Sequence, residues 1–302
     1  MGNSKYLIAV VGPTASGKTA LAVQLAQHYK TSILSADSRQ FYTELKIGVA
    51  RPTEQQLQAA PHFFIADCSL HEPLTAGQYE KEALAVLEKL FKKQNVVILT
   101  GGSGLFINTL VFGADPMPAA NKEVRQMLQQ NFDEQGIEYL QKELQRLDPE
   151  YYAKVDNQNP LRLMRAIEVC WVTGKPYSAQ RKNTPKERPF KTIFIGLNPP
   201  REKLYNQINH RVGEMVAEGL EAEAKAMLPY KELSALQTVG YREFFDFFEG
   251  KTTREEAIDL IKRNSRHYAK RQMTWFRRNE NIQWFESNDA GAIKEYINQA
   301  IT

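Results

Sequence analysis

The sequence predicts an α/β protein in which a P-loop parallel sheet with crossover helices carries an all-helical insertion domain. Three observations predict it. Five short apolar runs bounded by Gly, Pro, Asp or Asn alternate with helical patterns, the arrangement that folds into a mainly parallel sheet. The first run opens directly into a glycine loop. A strand-poor stretch, residues 115–190, interrupts the alternation between the fourth run and the fifth.

The runs are Tyr6–Val11, Ser32–Ala36, Phe63–Cys68, Val96–Thr100 and Thr192–Leu197. Ligands of such sheets sit beyond the carboxyl ends of the strands. Three runs end in suggestive residues there: Gly12 onward, Asp37-Ser38-Arg39-Gln40, and Gly101-Gly102-Ser103-Gly104. The strand-poor stretch shows helical periodicity in Val124, Met127, Leu128 and Phe132, and again in Leu161, Met164, Ile167 and Val169. It ends in a polar linker, residues 181–188. The expected division is therefore a catalytic core of residues 1–114 and 191–302 and a helical insertion of residues 115–190. After the fifth run, Asn198-Pro199-Pro200 has the form of a helix start, with Asn198 as cap and proline in the first turn. The rest of the chain reads as helical.

Composition agrees with an ordinary globular protein: of 302 residues, 42% are hydrophobic and 25% charged, the usual balance. A core of that size needs no disulfide. Cys68 and Cys170 have no metal-ligand spacing and read as core thiols of a reducing compartment. The apolar start of the chain is too short for a signal peptide, and Tyr6 stands where a myristoylation motif wants Ser or Thr. No run reaches the 18 or so apolar residues of a membrane span, so a cytoplasmic protein is expected. Net charge is +4, but its distribution says more: between Lys262 and Arg278 lie seven Lys or Arg and no acid, the footprint of a polyanion site.

Gly12-Pro13-Thr14-Ala15-Ser16-Gly17-Lys18-Thr19 matches G-x-x-x-x-G-K-[ST] in full, after a strand and before an amphipathic helix. Gly12 and Gly17 let backbone amides turn inward as an anion-binding nest. Lys18 supplies a mobile charge to the terminal phosphate, and Thr19 a hydroxyl to magnesium, which takes few protein ligands. The motif fits a nucleoside triphosphatase, a small-molecule kinase, or a transferase with a diphosphate leaving group. Asp37 reads as a turn cap, a magnesium ligand or a general base. Ser38 and Gln40 offer neutral groups to a base edge. The glycine cluster at 101–104 allows close approach of backbone to ligand, or is a plain tight turn. His62 reads as structural.

Arg211 lies at the edge of the apolar stripe Leu204, Ile208, Val212, Met215 and Val216. A solvated helix arginine is the simpler reading, and a bidentate contact to diphosphate the sharper one. Arg263, Arg266, Lys270 and Arg277 share one helical face, with Tyr268 and Trp275 on another. That face is either a solvated charged side or a phosphate-backbone surface. Arg162 and Arg165 would add a second basic face.

Taken together these blocks resemble the tRNA dimethylallyltransferase family over nearly the whole chain. The resemblance rests on Gly12–Thr19, Asp37–Tyr42 with Ile47-Gly48, Gly101–Leu105, Asn159–Val169, Thr173–Pro176, Arg211, Val239–Glu243 and Tyr268–Trp275. It implies that the P-loop holds the diphosphate of dimethylallyl diphosphate, with Mg2+ on Thr19. It implies that Asp37 takes a proton from N6 of the adenine 3′-adjacent to the anticodon, in tRNAs reading codons that start with U. Thr19 and Arg211 would stabilise the departing diphosphate. The adenine would leave its stack to be reached, while the insertion and the basic C-terminal helix grip the anticodon stem-loop. Asp37, Ser38, Arg39, Gln40, Ser103, Arg125, Leu161, Arg162, Leu163, Met164 and Arg165 fall where the family touches tRNA. Arg242, Arg266, Lys270 and Arg271 join them on the basic surface. The enzyme is expected to be a monomer, and the lack of zinc-finger spacing after the core points to the bacterial form. The chain departs from the family pattern at Arg39, Phe41, Glu44, Val49, Ser103 and Phe106. Arg39 puts the preferred tRNA set in question.

Overall fold

A computed structural model describes residues 4–182, 184–287 and 289–301. The chain divides into two compact units, Met1–Val111 with Glu187–Thr302, and Phe112–Lys186. The division thus lies three or four residues from positions 114 and 191, and its second crossing falls within the polar linker, of which Asn183 lies outside the described residues.

The larger unit is built on six parallel strands: β1 (Tyr6–Val11), β2 (Ile33–Ser35), β3 (His62–Phe63), β4 (Val96–Thr100), β5 (Lys191–Leu197) and β6 (Ile282–Phe285), in the order β3-β2-β4-β1-β5-β6. β1 is buried at every position, which is why its sequence is continuously apolar rather than alternating. Helices start where side chains satisfy their free amides: Thr53 with Gln56, Thr75 with Gln78 and Thr253 with Glu256 each form a reciprocal capping box.

Three expectations are corrected here. β3 ends at Phe63 instead of running to Cys68, because Phe64 and Ala66 take positive φ of 63° and 57°. The chain then turns back so that the amides of Asp67 and Cys68 donate to the Phe41 carbonyl at 2.8 and 2.9 Å. Cys68 is consequently half-buried, whereas Cys170 is buried. The C-terminal region also contains a strand: β6 pairs with β5 in the register Phe194↔Ile282 to Leu197↔Phe285. Its four residues give no alternation long enough to separate strand from helix in sequence. Finally, Asn198 does not cap the following helix, Arg201–Ala217, whose N-cap is Pro200 with no side-chain cap bond.

The smaller unit is helical: Lys122–Gln135, Ile137–Leu147, Pro149–Tyr152, Pro160–Thr173 and Tyr177–Gln180. Its core is Leu128, Leu140, Leu144, Leu163, Ala166 and Ile167. Asp148, 1% exposed, accepts from Tyr151 N at 2.9 Å, Ser178 N at 2.6 Å and Ser178 Oγ at 2.8 Å, joining two short helices. Met127 and Leu161, at 54% and 74% exposed, lie outside the apolar stripes that periodicity assigned them to.

Candidate active site

The strand order decides which residues meet. β4 lies between β1 and β2, so the loops leaving the carboxyl ends of all three are neighbours. They carry the P-loop, the glycine turn and Asp37. The last two are locked together: Ser103 N donates to Ala36 O at 3.2 Å, and Ser38 N to Ser103 Oγ at 2.9 Å. A Cβ on Gly101 would stand 2.3 Å from the Ala36 carbonyl, so this position needs glycine for closeness of backbones. Gly12, at φ 146°, needs it twice over, since a Cβ would also lie 2.8 Å from Leu197 O.

Within the P-loop, Ala15 at φ 61° and Gly17 at φ 88° reverse the chain so that it wraps inward. Lys18 Nζ donates to Pro13 O at 2.6 Å, and Lys18 begins the helix Lys18–Tyr29. Desolvation of its ammonium lowers the Lys18 pKa to about 8; the Asp37 carboxylate opposes the shift and the Arg211 guanidinium adds to it. If this loop binds diphosphate, then once the ionisation of diphosphate itself is subtracted the affinity should be steady below about pH 8, where Lys18 is charged already. Above that pH the affinity should fall by up to about tenfold per unit, because the anion must bring a proton with it. Calorimetric titration with diphosphate from pH 6.5 to 9.5 checks this; a flat profile through pH 8 would contradict it.

Of the two readings of Arg211, the solvated helix arginine is excluded: its Nη1 donates to Thr14 Oγ1 at 3.2 Å and its Nη2 to Ala50 O at 3.4 Å. Burial pulls its pKa down, with Asp37 opposing. A small cavity of about 70 Å³ is lined by Lys18, Thr19, Asp37, Arg211, Tyr268 and Gln272 among others. An adjoining one of about 100 Å³ shares Asp37 and Arg211 and adds an apolar wall of Val49, Ile208, Val212, Met215 and Val239. Outside the P-loop lies an open groove of about 890 Å³ that Lys46, Arg51 and Arg211 line.

Two residues beside this centre are absent from the sequence-based set. Gln272, buried, accepts from Thr14 N at 2.7 Å and donates to Gly102 O at 3.0 Å, tying the P-loop to the glycine turn. Tyr268 lines both cavities, and burial followed by the Asp37 charge raises its pKa, so its phenol stays protonated. Their signal was present: both lie in the ordered block Tyr268–Trp275, where an amide and a phenol interrupt a run of cations.

The residues assigned to tRNA fall in several environments. Arg39 Nη1 donates to Ser234 O at 3.1 Å and Ala235 O at 3.0 Å, while Gln40 Nε2 is used on Ala50 O at 3.0 Å instead of facing outward. Lys270 and Arg271 are exposed, Arg271 lying over the Tyr268 ring. Arg266 donates to Asn209 Oδ1 at 2.6 Å. Arg242 is exposed beside a different cavity, with Lys231, Asp246 and Glu249. In the smaller unit, Leu161 and Arg162 are exposed and Met164 half-buried. Leu163 is a correction: its side chain is 0% exposed in that unit's core and has no surface to offer RNA. Of the expected basic face, Arg162 is exposed while Arg165, like Arg125, pairs with the buried Glu168, at 2.7 and 2.9 Å respectively. Burial works against the Glu168 charge, but these donors and Asn121 N outweigh it and hold its carboxyl below the usual range.

No helix among the described residues is long and apolar enough to cross a membrane. Residues 40–279 match the family model described as IPP transferase. The chain is 49% identical over 97% of its length to the tRNA dimethylallyltransferase of Cytophaga hutchinsonii, covering 97% of that protein. It is 48% identical over 99% to that of Christiangramia forsetii, again covering 99%. Among solved structures, the tRNA isopentenylpyrophosphate transferase of Bacillus halodurans superposes with a TM-score of 0.72 at 32% identity, over 98% of this chain and 97% of that one. A eukaryotic dimethylallyltransferase acting on tRNA shares the fold with a TM-score of 0.80 at 24% identity, over 99% of this chain and 78% of the other.

Proposed function

The chain belongs to the IPP transferase family, and on that premise we propose that it prenylates tRNA. The reaction moves the dimethylallyl group of dimethylallyl diphosphate to N6 of the adenine 3′-adjacent to the anticodon, in tRNAs reading codons that start with U. One observation carries this reading: Lys18, Thr19, Asp37 and Arg211 surround one small cavity, and an apolar cavity that shares Asp37 and Arg211 adjoins it. A kinase has use for the cations but not for an apolar pocket at the reacting centre.

The P-loop amides, Lys18 and Arg211 bind the diphosphate. N6 attacks the allylic carbon, the carbon–oxygen bond breaks with its electron pair leaving on diphosphate, and the N6 proton passes to Asp37. Lys18 and Arg211 line the cavity that holds Asp37, where negative charge would develop on the leaving group. Val49, Ile208, Val212, Met215 and Val239 line the space suited to the hydrocarbon. Thr19 is the residue that would hold Mg2+, with Asp37 beside it. These hard oxygen donors fit an ion that takes most of its ligands from phosphate and water, and no group of three or more His, Cys, Asp or Glu is placed to hold a metal among the described residues. When bound, the ion neutralises diphosphate charge. The exposed Lys270 and Arg271 and the insertion helix at Leu161–Arg162 are the surfaces for the anticodon stem-loop. A single chain supplies every group named, as a monomeric enzyme requires, and a tRNA substrate suits a cytoplasmic location.

Incubation with dimethylallyl diphosphate, Mg2+ and unmodified tRNA, followed by nucleoside analysis, should yield N6-dimethylallyladenosine. AMP in place of tRNA should yield none. Product from AMP but not from tRNA would overturn the reading in favour of a free-adenylate prenyltransferase.

A further inference from the structure

We propose that Glu223 is a positioning residue for diphosphate chemistry, acting through the segment Lys46–Arg51 on Arg211. The inference rests on the proposed prenyl transfer for its kinetic consequence, but on geometry alone for its effect on diphosphate binding.

Segment 46–51 has no regular secondary structure, yet it supplies Val49 and Ala50 to the wall of the cavity that holds Asp37 and Arg211. Two internal bonds close it, Ala50 N to Ile47 O at 2.8 Å and Arg51 N to Lys46 O at 3.1 Å, but the amides of Lys46, Ile47 and Gly48 need an acceptor from outside the segment. Glu223, on the helix Leu220–Met227, provides that acceptor. Its Oε2 accepts from Lys46 N at 3.1 Å and Ile47 N at 2.8 Å, and its Oε1 accepts from Gly48 N at 2.8 Å. Three successive amides therefore close around one carboxylate, the arrangement by which backbone nests bind anions. Tyr241 completes it, donating its hydroxyl to Oε1 at 2.6 Å. Burial and then the Glu223 charge raise the Tyr241 pKa, keeping it a donor. The Tyr241 ring lies so close to Gly48 that a Cβ there would stand 2.6 Å from it.

The opposite edge of the segment faces the reaction. With the amides of residues 46–48 on Glu223, the carbonyls at the other end turn inward: Val49 O and Ala50 O accept from Gln40 Nε2 at 3.3 and 3.0 Å, and Ala50 O accepts from Arg211 Nη2. Ala50 is held at φ 48°, a conformation that a non-glycine residue keeps only when its surroundings impose it. The carboxylate thus fixes the carbonyl that sets one edge of the Arg211 guanidinium. Glu223 touches no cavity itself, so its influence on the reaction has to pass through this segment.

Glu223→Gln is the sharpest test, since it keeps the size but sets an amide NH2 against amide donors. Inorganic diphosphate binding, measured by calorimetry, should weaken about tenfold, and transfer turnover should fall by a similar factor with the KM for tRNA within about twofold. In Glu223→Asp, which keeps the charge, part of both losses should return. The decisive arm combines Glu223→Gln with Arg211→Ala. If Glu223 acts through Arg211, the double variant binds diphosphate no more weakly than Arg211→Ala alone. Losses that multiply, or unchanged diphosphate binding in a folded Glu223→Gln variant, would overturn the inference. Because this readout needs no transfer, inactivity of the unaltered protein on tRNA would sink the proposed function and leave the positioning role to stand or fall separately.

Discussion

Asp37→Ala is expected to lower the rate of prenyl transfer about 1,000-fold, within the 10²–10⁴ range of general base catalysis, while tRNA binding changes little. Asp37 lies just beyond the end of β2, and its own turn uses only part of it: Oδ1 accepts from Arg39 N at 3.1 Å. A Cβ on Gly102 would lie 3.6 Å from Oδ2, which puts that oxygen at the glycine turn, in the cavity shared with Lys18 and Thr19. On the proposed mechanism, loss of the carboxylate removes the acceptor for the N6 proton and leaves the exposed Lys270 and Arg271 in place. Asp37→Asn separates two roles. It keeps a hydrogen-bond acceptor in place and cannot take a proton, so a base predicts a loss close to that of alanine. Single-turnover rates with saturating substrates, set beside filter binding of tRNA, measure both quantities. Lost tRNA binding with unchanged turnover would show that Asp37 holds RNA instead of a proton.

How much of this was legible in the sequence differs from one residue to the next, for physical reasons. The P-loop was legible because one local pattern contains strand, turn and helix start together. β1 and β4 matched to the residue because fully buried strands are continuous apolar runs. β6 was not, since four residues at a sheet edge carry too short a period. Periodicity left two readings of Arg211 open because it reports which face of a helix is apolar, not what stands opposite its edge. The P-loop that stands there lies about 200 residues away in the chain, and only the fold brings it in. The same holds for Glu223, whose four donors come from Lys46–Gly48 and Tyr241. Leu163 failed differently, and the pairing of Arg125 and Arg165 was not legible either. Their positions followed from a resemblance between linear blocks, which carries no information on which side of the helix each residue takes, or on a buried partner such as Glu168.

Arg211→Ala is expected to slow transfer by about 100- to 1,000-fold, the scale measured when one preorganised donor to a developing anion is removed. The guanidinium is held at two points, both long at 3.2 and 3.4 Å, so its remaining donors stay free for a diphosphate oxygen. Arg211 and Lys18 line one cavity, and the Arg211 guanidinium disfavours the Lys18 charge. On the proposed mechanism, a bound diphosphate would offset that repulsion, and both cations would stabilise the charge that builds on the leaving group. The pairing gives the variant a second signature. Arg211 helps to lower the Lys18 pKa to about 8, so without it the Lys18 pKa should rise. The pH at which diphosphate affinity begins to fall should then move upward from about 8, because Lys18 keeps its proton to higher pH. Arg211→Lys should keep more activity than alanine but less than arginine, since a point charge cannot reach Thr14, Ala50 and the anion together. A variant that slows less than about tenfold, or whose binding profile breaks at an unchanged pH, would mean that Arg211 serves the fold of the loop and not the leaving group.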